Sequence, residues 1–182
     1  MNTVKNKALK QLLWIGMGSI AMFFAGLTSA YIVRKAEGNW VDFILPEWFF
    51  YSTIVIVISS LLLIFATRRI KKNKEIFALI VIVFLLGILF TYLQVNGWKE
   101  LTSMGVYLTG EGSNVAGSFL YILTLSHLVH LAGGLIALFF AAINVKTKKY
   151  NSESFLGLEI TAIYWHFLSF LWIYLFFFLK YL

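Results

Sequence analysis

The sequence predicts an all-α integral membrane protein, a single bundle of five transmembrane helices with its N-terminus inside and its C-terminus outside. Three observations carry this. Of the 182 residues, 60% are hydrophobic and only 13% are charged. The apolar residues gather into five runs, each long enough at about 1.5 Å per helical residue to cross a hydrocarbon core about 30 Å thick. The Lys and Arg residues fall in clusters between those runs, alternately dense and sparse along the chain.

The first span is placed at about residues 12–33. Lys5, Lys7 and Lys10 precede it, as basic residues precede a secretory signal, but the apolar region of a signal is only about 7–15 residues long. A longer run followed directly by Arg34 and Lys35 reads as a retained span. The second, about 48–67, opens after Pro46, which is tolerated in a first helical turn because its missing N–H would be unbonded there anyway. The third, about 76–95, follows the basic connection of Arg68, Arg69, Lys71, Lys72 and Lys74. The fourth, about 117–143, is reached through residues 96–116, where Gly97, Gly105, Gly110, Glu111, Gly112 and Asn114 predict a flexible, turn-rich connection. The fifth lies at about 155–179. Together the spans use most of residues 1–182, which makes one transmembrane domain and leaves no room for a separate soluble one.

Positive charge is retained on the cytoplasmic side of short loops. Lys5, Lys7, Lys10, Arg68, Arg69, Lys71, Lys72, Lys74, Lys146, Lys148 and Lys149 share one side; Arg34, Lys35, Lys99 and Lys180 share the other. The N-terminus is therefore expected inside. The same distribution explains a pI near 9.6 without nucleic acid, whose recognition would need aromatic or polar readers in a soluble module. Cysteine is absent, which removes disulfides, thiolate metal sites and thiol redox chemistry.

Trp40, Trp48 and Trp98 fall at expected outer boundaries and Trp14 at an inner one, where indole settles at headgroup depth. Helices in lipid approach closely through small residues. Ala21, Ala25 and Ser29, with Gly18 and Gly26 nearby, form one such stripe; Ser126, His130, Gly133, Ala137 and Ala141 form another. Both are expected to pack inside the bundle rather than against another subunit.

The fifth span carries Glu159 and then Tyr164-Trp165-His166-Phe167. An ionisable group near the bilayer centre costs roughly 2.5–3.5 kcal/mol on insertion scales, so such groups face protein, water or a specific partner. Glu159 and His166 stand about two helical turns apart on one face, a polar seam in an apolar helix. Around them the membrane inventory adds His127, His130, Tyr92, Tyr121 and Gln94. His127 and His130 are close enough in helical register to frame one site. Two readings stay open: a haem held by His130 and His166, or a metal site completed by Glu159, and against these, histidines hydrogen-bonded to neighbours or headgroups that hold nothing.

The segment Leu158-Glu159 through Tyr164-Trp165-His166-Phe167-Leu168-Ser169-Phe170-Leu171-Trp172 resembles the final helix of subunit III of the haem-copper oxidases, the terminal oxidases of aerobic respiration. Ser126-His127-Leu128-Val129-His130-Leu131-Ala132-Gly133-Gly134 is similar to the family's paired-histidine helix followed by glycines. Gly87, Phe90 and Gln94 ahead of Trp98 support the likeness, and Met22-Phe23-Phe24-Ala25-Gly26 with Ser29-Ala30-Tyr31 is similar to the family's first conserved helix. The resemblance runs in order over about residues 12–182. Ile20 stands where the family commonly has a membrane-embedded glutamate, and Ser169 where it often has an aspartate, so roles attached to those carboxylates do not carry over. Many relatives have seven spans. This chain resembles the shorter form without the first two, so the lipid-filled cleft those helices border must be completed by another polypeptide or be absent.

The resemblance implies a non-catalytic core subunit of a cytochrome c oxidase in a bacterial inner membrane. It would pack mainly against subunit I, which holds the haems and copper, beside subunit II and a small additional subunit; membership of a larger respiratory assembly stays open. No cofactor would be bound by this chain, whereas ordered phospholipid would. The seam of Glu159, His166, His130, His127, Trp165, Tyr164 and Gln94 would be structural or lipid-contacting, protecting the oxidase against turnover-linked inactivation and leaving oxygen a route to subunit I. A quinol oxidase subunit is the alternative within the family. A free-standing transporter relaying protons through Glu159 and His166 is the alternative outside it, although no inverted repeat or broken helix is evident.

Overall fold

The computed structural model describes residues 2–38, 40, 43–72, 75–110, 112–150 and 155–181, and the regular structure among them is all helical. Five helices run in order: α1 (Asn2–Ala36), α2 (Glu47–Ile70), α3 (Phe77–Ser103), α4 (Val115–Lys146) and α5 (Leu156–Tyr181). All five are long and apolar enough to cross a membrane. The expected five-helix membrane bundle is what the chain forms.

Two elements run well past their expected bounds: α1 begins at Asn2 rather than near residue 12, and α3 continues to Ser103 where a loop was expected from Asn96. Tertiary contacts hold the extra turns of α3. A Cβ on Gly97 would lie 2.7 Å from Phe49 Cε2, so this glycine serves close packing rather than a turn. Trp98 Nε1 donates to Thr124 Oγ1 at 3.0 Å, which gives an indole expected as a depth anchor an interhelical bond as well. Leu101 is fully buried. Turn chemistry begins only at Gly105 and recurs at Gly110 and Gly112, whose φ values are +79°, +99° and +82°. Glu111 lies outside the described residues. Asn114 then starts α4 by accepting the Gly117 N–H on its Oδ1 at 2.6 Å, as short polar side chains do at helix N-termini.

The buried residues of three helices follow an alternating three-four step. On α2 they are Phe49, Ser52, Ile56, Ser59, Leu63, Ala66 and Ile70. On α3 the series Ile80, Val83, Gly87, Phe90, Gln94, Gly97 and Leu101 keeps the same rhythm, and on α4 so do Gly117, Leu120, Thr124, His127, Leu131, Gly134, Leu138 and Ala141. A mean step of 3.5 holds a contact line straight along a slightly supercoiled pair, as in left-handed bundles.

That rhythm corrects the small-residue stripe of α1 and one position of that of α4. Steps of four drift by about 40° each on a helix of 3.6 residues per turn, so the α1 stripe leaves the contact line. Ala21, Ala25, Ser29, Gly18 and Gly26 on α1 are exposed, and nothing would meet a Cβ within 4 Å at Gly18 or Gly26. On α4 Gly133 is exposed, whereas a Cβ on Gly134 would lie 3.1 Å from Trp165; Ala141 of the same stripe is buried inside the bundle.

α5 packs on α1, α2 and α4; α2 and α3 form an antiparallel hairpin that α4 extends; α1 touches α4 and α5 but not its sequence neighbour α2 among the described residues. Trp165 and Trp172 of α5 are fully buried at the centre, with Phe49, Phe90, Ile56 and Leu63 around them. At one end of the bundle Lys10 pairs with Glu159, Lys71 lies over the Phe155 ring and Lys146 over the Phe77 ring. The dense basic clusters therefore collect at a single end.

Candidate functional site

The seam residues on α5 point their polar atoms at three different helices. Tyr164 OH donates to the His130 carbonyl of α4 at 3.1 Å. Trp165 Nε1 donates to Ser59 Oγ of α2 at 3.0 Å, while its ring fills the hollows left by Gly87 of α3 and Gly134 of α4. His166 Nδ1 bonds Ser60 Oγ of α2 at 2.6 Å. Two more bonds lie further along: Trp172 Nε1 to Thr53 Oγ1 at 3.0 Å, and Tyr174 OH to Thr28 Oγ1 of α1 at 3.1 Å.

Most of the hydroxyls that receive these bonds share one local device. Ser59, Thr53 and Thr28 each donate to a carbonyl three or four residues back on their own helix, at 2.9, 2.8 and 3.0 Å. This back-bonding leaves a lone pair turned outward to accept from the next helix. The device satisfies polar groups pairwise where no water is available. Sequence reasoning missed Ser52, Thr53, Ser59, Ser60, Thr28 and Thr124. The signal was the position of Ser52 and Ser59 on the same three-four line as Phe49, Ile56 and Leu63, where only buried side chains stand.

Glu159 sits in the first turn of α5, where its Oε1 accepts from Lys10 Nζ of α1 at 2.8 Å with both side chains more than a third exposed. Glu159 and His166 share a face of α5 yet serve different neighbours, α1 and α2. The two histidines of α4 diverge as well. His130 turns toward α1, its ring 5.7 Å from that of Phe24, and its Nδ1 donates to the Ser126 carbonyl at 2.7 Å. His127 is fully enclosed between Phe90 and Trp172, at ring distances of 5.8 and 5.1 Å. Gln94 donates through Nε2 to Ser52 Oγ at 2.8 Å. Among the described residues no three His, Asp or Glu side chains converge on a point where a metal could sit. His130, His166 and Glu159, the trio of the cofactor reading, are each engaged by a separate partner.

Residues 41–182 match the family model described as cytochrome c oxidase subunit III. The chain belongs to the cytochrome c oxidase subunit III family. A probable cytochrome c oxidase subunit 3 of Mycobacterium tuberculosis (strain ATCC 25618 / H37Rv) is 31% identical over 170 residues, 89% of this chain and 82% of the relative. One from Nocardia farcinica is 32% identical over 178 residues, with the same coverage of 89% and 82%. A probable quinol oxidase subunit 3 of Staphylococcus saprophyticus is 32% identical over 108 residues, 58% of this chain and 52% of the relative. As a subunit III, the chain is a multi-pass membrane component of a haem-copper oxidase complex.

Proposed function

We propose that this subunit III is the non-redox scaffold of a cytochrome c oxidase, packed mainly against subunit I with subunit II and a small additional subunit nearby. One observation carries the reading: Tyr164, Trp165 and His166 of the α5 motif each bond a neighbouring helix, at the His130 carbonyl, Ser59 and Ser60. Side chains committed in this way hold helices; they do not carry electrons or protons. The haems and copper then belong to partner subunits. Ordered phospholipid fits the exposed apolar flanks, such as Phe50, Ile54, Ile58, Leu61 and Phe65 of α2. The chain so built keeps subunit I competent through repeated turnover and leaves an apolar route for oxygen beside it. The basic end of the bundle favours an N-terminus inside and a C-terminus outside, in a bacterial inner membrane.

Cytochrome c is the favoured donor because the relatives matched over 89% of the chain carry that description. A quinol donor is the second reading, favoured by the match to the staphylococcal protein over the shorter stretch. Assaying the purified complex with reduced cytochrome c and with a quinol separates them. Oxygen consumption with cytochrome c alone is expected, and consumption with quinol alone would overturn the first reading. For the scaffold role, Glu159→Leu is expected to weaken retention of this subunit in detergent while electron transfer in the remaining complex stays nearly unchanged. Immediate loss of haem reduction would contradict it.

A further inference from the structure

Three polar atoms deep in the bundle have no hydrogen-bond partner among the described residues: Gln94 Oε1 and both ring nitrogens of His127. Their surroundings are otherwise saturated. Ser52 Oγ donates to the Phe49 carbonyl at 2.8 Å and accepts from Gln94 Nε2; Thr53 Oγ1 donates to the same carbonyl and accepts from Trp172; Thr124 Oγ1 donates to the Leu120 carbonyl at 2.8 Å and accepts from Trp98. The exceptions belong to the same layer. His127 packs on Phe90 and Trp172; Phe90 stands one turn before Gln94 on α3; Trp172 bonds Thr53, the residue after the Ser52 that holds Gln94.

Burial decides what can reach them. His127 is 0% and Gln94 1% exposed, so neither lipid nor a partner subunit touches these atoms. A buried polar group left without a partner costs about 1–3 kcal/mol, and buried groups in folded proteins are satisfied by protein or by ordered water. An amide oxygen only accepts, whereas a neutral imidazole offers one N–H and one lone pair. The missing group must therefore donate to Gln94 and can either donate to or accept from His127. A metal cation would find only two neutral ligands, since the hydroxyls around them are already committed, and dioxygen would leave every one of these atoms unpaired. Water meets the requirement for Gln94 Oε1 and for one of the two His127 nitrogens.

We propose that an ordered water molecule is bound inside the bundle between Gln94 of α3 and His127 of α4, donating to Gln94 Oε1 and sharing a hydrogen bond with a ring nitrogen of His127. It extends the chain of bonds from the Phe49 carbonyl through Ser52 and Gln94 to the paired-histidine helix, and ties α2, α3 and α4 at one level. It also sets which His127 nitrogen carries the proton, and so holds the ring against Trp172.

The test is a map of the intact oxidase complex at about 2 Å resolution. The expected result is a density peak within about 3 Å of both Gln94 Oε1 and one His127 ring nitrogen. No peak there, or a direct Gln94–His127 bond in its place, overturns the proposal. Maps of Gln94→Leu and His127→Phe add a second arm: loss of the peak in either assembled variant supports the assigned ligands, and a peak that persists in both refutes them. Should neither variant assemble, the wild-type map alone decides.

Discussion

α5 and α1 are both apolar helices of membrane-spanning length, yet the bundle uses them in opposite ways. Half of the most apolar stretch of α5 is buried, against 17% of that of α1. α5 turns Trp165, Ser169, Trp172 and Phe176 inward, packs on α1, α2 and α4 and reaches α3 through its two tryptophans; α1 turns Met17, Phe24, Thr28 and Tyr31 inward and leaves its small residues outside. Lipid tails are as apolar as leucine, so burial alone gives helices no reason to associate, and tight packing with a few hydrogen bonds must do it. α5 has both. α1 has Phe24, the Thr28–Tyr174 bond and the ion pair of Lys10, and is the least embedded element of the five.

Breaking the comparison is easiest at its centre. Trp165→Ala empties the space over Gly87 and Gly134 and removes the bond to Ser59, and is expected to cost about 3–5 kcal/mol in the unfolding free energy of the chain in detergent. Gly87→Leu attacks the same contact from the other side. Its Cβ would lie 2.7 Å from the Trp165 ring, and a loss of about 1–3 kcal/mol is expected in the same measurement. Ser59→Ala keeps the shape and removes only the acceptor, for about 0.6 and at most 1.7 kcal/mol. On α1 the expectation reverses. Gly26→Leu adds a large side chain where nothing stands within 4 Å, and the stability of the chain alone should stay within about 0.5 kcal/mol. A loss as large as that at Gly87 would mean that α1 is packed as tightly as α5. The Lys10–Glu159 pair is more than a third exposed, so Lys10→Ala should change chain stability by about 0–1 kcal/mol, less still at high salt.

The number of helices and their placement were legible because apolar length is read directly from sequence, and the family motif marked α5 as the helix to watch. Which face of each helix turns inward was less legible. Ala21, Ala25 and Ser29 form a persuasive stripe by composition, but the buried line of α2, α3 and α4 follows alternating steps of three and four, set by bulky residues as much as by small ones. The extension of α3 through Gly97 was hidden for a related reason. Glycine signals a turn in isolation, and only the ring of Phe49 from another helix reveals it as a packing position. The histidines were visible as rare polar groups, whereas the pairing of His166 with Ser60 depends on rotation about each helix axis, which apolar sequence constrains weakly.

The scaffold role is tested most directly by comparing the oxidase complex with and without this subunit, following haem absorbance, initial oxygen consumption per haem and the lifetime of activity under sustained turnover. Unchanged absorbance and initial rate with a shortened lifetime are expected. Haem content that falls in proportion to the subunit removed would contradict the account.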